Sequence, residues 1–204
     1  VILDVVYNHA GGDFGDQSLY FFDRQPSEGG YRNSLYFTDK GHAGGLVFDF
    51  GKPEVREFLI QNAKFFLDEY CVDGFRYDQV SVIDHDGAPH GWRFCQDLTS
   101  TLHFQKPSVL HNAEYWNVNP YIIKTPPEGA GFDATLTDGL RIAIRDVIGN
   151  ASAPDERPLN MTGLARSLWP DGFDEHWRFV QGTENHDIVY QGRESRIARL
   201  GDPS

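Results

Sequence analysis

Four short clusters in this sequence put carboxylates beside arginine, asparagine or histidine at spacings that could do acid–base and nucleophilic chemistry. They are Asp4-Val5-Val6-Tyr7-Asn8-His9, Gly74-Phe75-Arg76-Tyr77-Asp78, Ala113-Glu114-Tyr115-Trp116 and Glu184-Asn185-His186-Asp187. Glycosyl chemistry needs such a set. One carboxylate must stay ionised to attack the anomeric carbon, and a second must stay protonated to donate to the leaving oxygen. Asp78, Glu114 and Asp187 are the three acids. Arg76, two residues before Asp78, shares its strand face and favours the ionised form of that acid. Repulsion among the acids favours a protonated Glu114.

Taken singly, each residue has a plainer reading. Asp78 and Glu114 could be solvated strand-end acids, Arg76 a structural ion pair, and His9 and His186 ordinary hydrogen-bonding residues. Asp4, in mid-strand, reads as structural before catalytic, and Trp116 could be core. His42 and His111 carry no signal of their own. Only the joint occurrence of the clusters lifts the functional reading. A metal-dependent hydrolase would want clustered histidines, and no two here stand at i, i+2 or i, i+4.

The elements that must position these residues alternate between short apolar runs and longer helical patterns. Val1 to Val6 reads as a strand buried on both faces. A polar, Gly-rich and aromatic stretch over residues 7–45 is too long for a connection and reads as a functional loop, with Leu46 to Phe50 as a short strand beside it. Pro53 opens a helix to Tyr70, with Val55, Phe58, Leu59, Asn62 and Phe66 along one face. Strands are expected at 73–78, 108–114, 132–136 and 178–183, and helices at 91–104, 138–148 and 160–168. Repeated strand–helix units imply an α/β fold with parallel strands. A doubly wound sheet gathers its chemistry at one switch point. Polar residues closing several strands therefore favour a (β/α)8 TIM barrel, here an incomplete segment forming one partial catalytic barrel domain over residues 1–204.

Composition agrees and excludes several classes. The 204 residues carry 18 Lys+Arg against 30 Asp+Glu, a net charge of −12, so no basic stripe exists for nucleic acid. No apolar run approaches the roughly 18 residues that span a bilayer. Cys71 and Cys95 are too few for a disulfide framework and read as buried thiols of a reducing compartment. Aromatics make up 14% of the chain, faces that suit sugar rings as well as a core. The first residue opens a strand and the last closes no element, so a segment of a longer protein is expected. A closed barrel needs eight strands and about 250 residues. The five or six expected here would leave open sheet edges, an inactive chain in isolation, and association with copies of itself.

The four clusters, in this order, resemble the short motifs of the α-amylase family of glycoside hydrolases, at the third, fourth, fifth and seventh strands of its barrel. By position, the resemblance implies Asp78 as nucleophile, Glu114 as general acid/base and Asp187 as transition-state stabiliser. Arg76 would orient the nucleophile, His9 and His186 would bind sugar before the cleaved bond, and Asp4 and Asn8 would support the site. Tyr115 and Trp116, beside the acid/base, are expected on the substrate side. No metal or other cofactor is expected, although in some members the residue matching Asn8 ligates structural calcium. The implied mechanism is retaining, with the Asp78 and Glu114 carboxyls about 5–5.5 Å apart.

Glu54 to Ala63, running through Asp68-Glu69-Tyr70 into Val72-Asp73-Gly74-Phe75-Arg76, is similar to branching and trehalose-releasing members. So is Gly131-Phe132-Asp133-Ala134 with Asp138-Gly139-Leu140-Arg141. The resemblance points first to 1,4-α-glucan branching, with transfer to a 6-hydroxyl. Amylase-type or trehalose-releasing hydrolysis comes second, and a non-catalytic carbohydrate-binding relative third. An α-glucan or maltooligosaccharide is the expected partner, and the cytoplasm the expected compartment. Gln79 and Ser81 depart from the small or basic residues commoner after the nucleophile.

Overall fold

Strand–helix alternation is realised in the computed structural model, which describes residues 1–11, 34–189 and 195–201. They fall into two units, Val1–Thr135 and Leu136–Ser204. In the first unit, β1 (Ile2–Val5) is followed by β2 (His9–Ala10), β3 (Phe37–His42) and β4 (Gly45–Phe48). Then come α1 (Pro53–Glu69), β5 (Gly74–Tyr77), α2 (Val80–Asp86), α3 (Gly91–Gln105) and β6 (Leu110–Ala113). A short 3-10 turn at Pro120–Ile123 precedes β7 (Ala134–Thr137), in which the first unit ends.

Strands β1, β5, β6 and β7 are neighbours in that order and run parallel, the sheet of an α/β fold. The register pairs Asp4 with Arg76 and Arg76 with Asn112, so these three form one row across the sheet. Asp78 and Glu114 follow two residues after Arg76 and Asn112. A period of two therefore returns both to the same face. Gly74 lets β5 and β6 start together: a Cβ there would stand 2.3 Å from the Leu110 carbonyl oxygen.

The opposite face of β5 and β6 builds the core. Phe75, Tyr77 and His111 are fully buried, with Tyr77 edge-on to Phe132 at 5.4 Å. Helix α3 adds Phe94, Cys95, Leu98 and Leu102, and α1 adds Val55, Leu59, Ile60, Ala63 and Leu67. The buried stripe of α1 is thus rotated from the expected one. Phe58 is half-exposed and packs on Tyr36 at 5.5 Å, because the true stripe follows 55, 59, 63 and 67 in steps of four. Helix α2 was absent from the expectations. Its seven residues hold too few apolar repeats to signal a period.

Two further expectations are corrected. β1 is not buried on both faces: it is the last strand of the parallel sheet, and Ile2 and Val6 are half-exposed. Its β-branched run reflects strand propensity rather than two-sided burial. Cys71 is exposed, not buried, because it follows the end of α1 in a left-handed conformation (φ 53°) where the chain turns outward; Cys95 is buried as expected.

The stretch 7–45 carries structure of its own. β2, β4 and β3 form a small antiparallel sheet in that order, with His9 opposite Val47 and His42 opposite Gly45. Ala43 (φ 47°) and Gly44 (φ 86°) close the β3–β4 hairpin as two consecutive left-handed residues, the tight turn that matches strand twist. The remainder of the expected loop, residues 12–33, lies outside the described residues.

The second unit holds α4 (Gly139–Ala151), α5 (Met161–Ser167), β8 (Phe179–Gln181), α6 (His186–Val189) and α7 (Ile197–Leu200). Asn160 caps α5 by accepting from the Gly163 amide at 2.8 Å. Phe173 and Phe179 are its buried rings, 5.5 Å apart. Among the described residues no helix is long and apolar enough to cross a membrane.

Candidate active site

The first unit gathers six of the expected residues around one guanidinium. Arg76, near the C-terminal end of β5, donates through Nη1 to Asp4 Oδ1 at 2.8 Å and to Asp78 Oδ1 at 3.0 Å. Its Nη2 meets Glu114 Oε2 at 2.6 Å. Burial works against the Arg76 charge, but Asp4, Glu114 and Asp78 outweigh it and push its pKa up. One planar fork thus ties three strand ends together.

Asp78 is held from a second side. Asn8, fully buried, donates Nδ2 both to the Asp78 backbone carbonyl at 2.8 Å and to Oδ2 at 2.9 Å. Each Asp78 carboxyl oxygen therefore accepts a hydrogen bond.

Glu114 stands in contrasting surroundings. It is fully buried, and Oε2 accepts from Arg76 and from the Gln79 backbone N–H at 3.0 Å. Oε1 is buried with no hydrogen-bond partner. Burial raises the Glu114 pKa first. The Gln79 amide and Arg76 oppose that, the Asp78 charge adds to it, and the net direction is upward. Burial and the nearby Asp78 charge thus favour the protonated form of Glu114.

His9 extends this network, its Nδ1 meeting Asn8 Oδ1. Asn8 spends its amide hydrogens on Asp78, so its oxygen faces His9, whose Nδ1 must carry the hydrogen. Burial first, then the neighbouring His42, lowers the His9 pKa against the pull of Asp78. A neutral His9 leaves Nε2 as an acceptor for a ligand hydroxyl. Among the described residues no group of three His, Cys, Asp or Glu could hold a metal.

The aromatic neighbours of Glu114 divide. Tyr115 is buried and donates its hydroxyl to Asp84 Oδ2 at 2.6 Å, tying β6 to α2. Trp116 is partly exposed. Asp187 and His186 belong to the second unit, at the start of α6, where His186 Nε2 lies 3.5 Å from Asp187 Oδ2 and both side chains are largely exposed. Asn185 accepts from the Ile188 amide at 3.0 Å and so starts that helical turn.

Two participants escaped the sequence. Gln79 enters through its backbone, which no residue type signals; its departure from a small residue was the only hint. His42 lies edge-on to His9, ring centroids 5.1 Å apart, across a hairpin that sequence spacing could not place.

Comparison with known proteins finds relatives of the chain as a whole. The 1,4-alpha-glucan branching enzyme GlgB 1 of Clostridium perfringens is 46% identical, over 98% of this chain and 31% of its own length. The branching enzyme GlgB of Bacillus subtilis is 30% identical over 98% of this chain and 32% of its own. A malto-oligosyltrehalose trehalohydrolase of Saccharolobus solfataricus is 32% identical over 71% of this chain and 23% of its own. The chain thus spans about a third of the length of the branching enzymes it matches. No protein-family model matches. Among solved structures, a maltogenic alpha-amylase of Thermotoga neapolitana shares the fold, with a TM-score of 0.59 and 21% identity over 92% of this chain and 38% of that one.

Proposed function

We propose that this chain, which belongs to the α-amylase family of glycoside hydrolases, is the catalytic part of a retaining enzyme acting on α-1,4-glucosidic bonds, with branching as its reaction. The observation that carries the reading is the Arg76 fork, which holds Asp78 beside two hydrogen-bond donors while Glu114 is buried with one oxygen unpartnered. In this reading Asp78 attacks the anomeric carbon as Glu114 protonates the departing oxygen. Glu114 then takes a proton from the acceptor as the acceptor displaces Asp78. By the family resemblance, Asp187 is the stabiliser of the developing positive charge, and His9 and His186 are sugar-binding residues. Asp4 and Asn8 steady Arg76 and Asp78. Trp116 offers a partly exposed face to the glucan, and Tyr115 supports the acid/base strand from behind. The displacement needs no cofactor.

Transfer to a sugar 6-hydroxyl is favoured over transfer to water by the identity to two branching enzymes across nearly the whole chain. Hydrolysis with trehalose release is the second reading, favoured by the trehalohydrolase likeness. The test incubates the protein that carries this chain with linear amylose and follows iodine absorbance with reducing ends. Loss of iodine colour without new reducing ends supports branching; matching new reducing ends would replace it with hydrolysis. The same reading sets the protein in the cytoplasm, where the two free thiols stay reduced. For the 204-residue segment taken alone, the edge of β1, unpaired among the described strands, is the surface for a second copy.

A further inference from the structure

The peptide unit between Asp78 and Gln79 is clamped at both ends. Its carbonyl accepts from Asn8 Nδ2 at 2.8 Å, and its N–H donates to Glu114 Oε2 at 3.0 Å. That aim depends on backbone that L-residues rarely adopt: Gln79 has φ 33° and ψ 59°, left-handed without being glycine. Such a conformation costs free energy, and it persists here at the junction between β5 and α2. The adjoining turn is held as well, since the Val80 amide donates to the Glu114 backbone carbonyl at 2.7 Å and the Glu114 amide to the Tyr77 carbonyl at 2.9 Å. Residues 77–80 therefore wrap around both the main chain and the side chain of Glu114.

Glu114 has two chemically distinct oxygens in this setting. Oε2 accepts two hydrogen bonds, one of them from a charged donor, so a proton there would face donors. Oε1 is buried and unpartnered, where a negative charge is most costly and a proton least opposed.

We infer that Gln79 is a positioning residue of the reaction: its left-handed backbone holds the Asp78–Gln79 N–H on Glu114 Oε2, which assigns Oε1 as the oxygen that carries the catalytic proton. This rests on the retaining reading above. The Oε1–H bond breaks as the leaving oxygen takes the proton, the C1–O bond breaks, and an Asp78 oxygen bonds to C1. In the second half the acceptor hydroxyl returns its proton to Oε1 as its oxygen bonds to C1 and the Asp78–C1 bond breaks. The peptide N–H thus links nucleophile and acid/base through one rigid unit. Among the described residues, the charged groups facing Glu114 are Arg76 and Asp78, both on β5 or one residue past it.

The test compares three forms of the protein that carries this chain, by carboxyl-carbon NMR titration of Glu114 and by the pH profile of kcat/KM on maltooligosaccharide. Q79V disfavours a left-handed residue 79 and withdraws the N–H. An ester in place of the 78–79 peptide deletes the N–H without changing a side chain, and weakens the carbonyl that Asn8 meets. Q79G accepts the conformation and keeps the N–H. Losing a donor to the ionised form raises the Glu114 titration. In Q79V and the ester it is expected to move up by about one pH unit, a tenfold loss of acidity, taking the alkaline limb with it, while in Q79G it stays. An unmoved titration in the ester form overturns the inference, as does an equal shift in Q79G and Q79V, which would trace the effect to the side chain. A titration that moves as expected in a protein turning over no glucan would overturn the functional reading and leave the hydrogen-bond assignment standing.

Discussion

At the scale of single residues, the proposed chemistry turns on two acids that share a guanidinium and differ in their surroundings. Asp78 keeps both oxygens in hydrogen bonds, whereas Glu114 is buried with one oxygen bare. D78N should abolish turnover on every glucan. E114Q should lower it by about 10²- to 10⁴-fold on natural glucan, the usual contribution of a general acid. With a donor whose leaving group needs no proton, E114Q should still form the glycosyl-enzyme, detectable by intact-mass spectrometry; no adduct would remove Asp78 from the nucleophile's role. E114Q should also stabilise the fold. A carboxyl whose pKa rises on folding binds its proton longer in the native than in the unfolded state, so wild-type stability falls as pH rises from the ordinary glutamate range toward the raised value. The melting temperature of E114Q should exceed that of the wild type by more at pH 8 than at pH 5. The residue types of this pair were legible in sequence. Their difference in environment was only a conjecture there, because burial of Glu114 depends on strands whose paired residues, such as Arg76 and Asn112, lie far apart in sequence.

At the scale of elements, α3 and β6 are joined by a second ionisable cluster away from the candidate site. His103 of α3 reaches Asp133 at 3.2 Å, and Asp133 accepts from the His111 backbone N–H at 2.7 Å. The Asp133 bond raises the His103 pKa against burial, and His103 in turn helps hold Asp133 low. Stability from His103 is therefore fully present below its unfolded pKa and is lost as pH rises through the higher folded one. H103Q should lower the melting temperature more at pH 6 than at pH 9; an equal loss at both would show that the ion pair contributes nothing. His111 acts in the opposite sense. Burial pushes its pKa down to about 3, so it should cost stability by about 1.4 kcal/mol per pH unit below about 6.5, as the unfolded chain takes up a proton the native chain refuses. Packing between elements is equally tight at Gly91, the first residue of α3, where a Cβ would stand 1.7 Å from the Ile83 carbonyl oxygen. G91A must push α2 and α3 apart and should cost more than about 2 kcal/mol in denaturant unfolding. These strands and long helices were legible from apolar periodicity to within a few residues. The rotation of α1 and the existence of α2 were not, since a half-exposed Phe58 and a seven-residue helix look the same in sequence as a core ring and a loop.

At the scale of the whole molecule, the parallel sheet of the first unit ends at β1 with its outer edge unpaired among the described strands. Ile2 and Val6 are half-exposed there, and Phe65 on α1 and Tyr70 just past it are exposed as well. Unpaired backbone groups with apolar side chains favour strand addition. The 204-residue chain alone should therefore elute from a sizing column larger than a monomer, and V6K should shift it toward monomer. A wild-type chain that is monomeric at high concentration would show that this edge recruits no second copy.

The sequence alone named the candidate acids and their neighbours for the proposed reaction, because four ordered clusters of acids, arginine, asparagine and histidine are local facts that survive without coordinates. It also determined the α/β alternation, since strand and helix periods are written into the apolar pattern. Only the tertiary structure decided which groups share a hydrogen bond: that Asn8 reaches across 70 residues to Asp78, that one guanidinium spans Asp4, Asp78 and Glu114, and that a backbone N–H reaches the acid/base. The physical reason is that protonation state and hydrogen-bond geometry depend on distance and burial. Both are set by the register of parallel strands whose partners lie far apart along the chain.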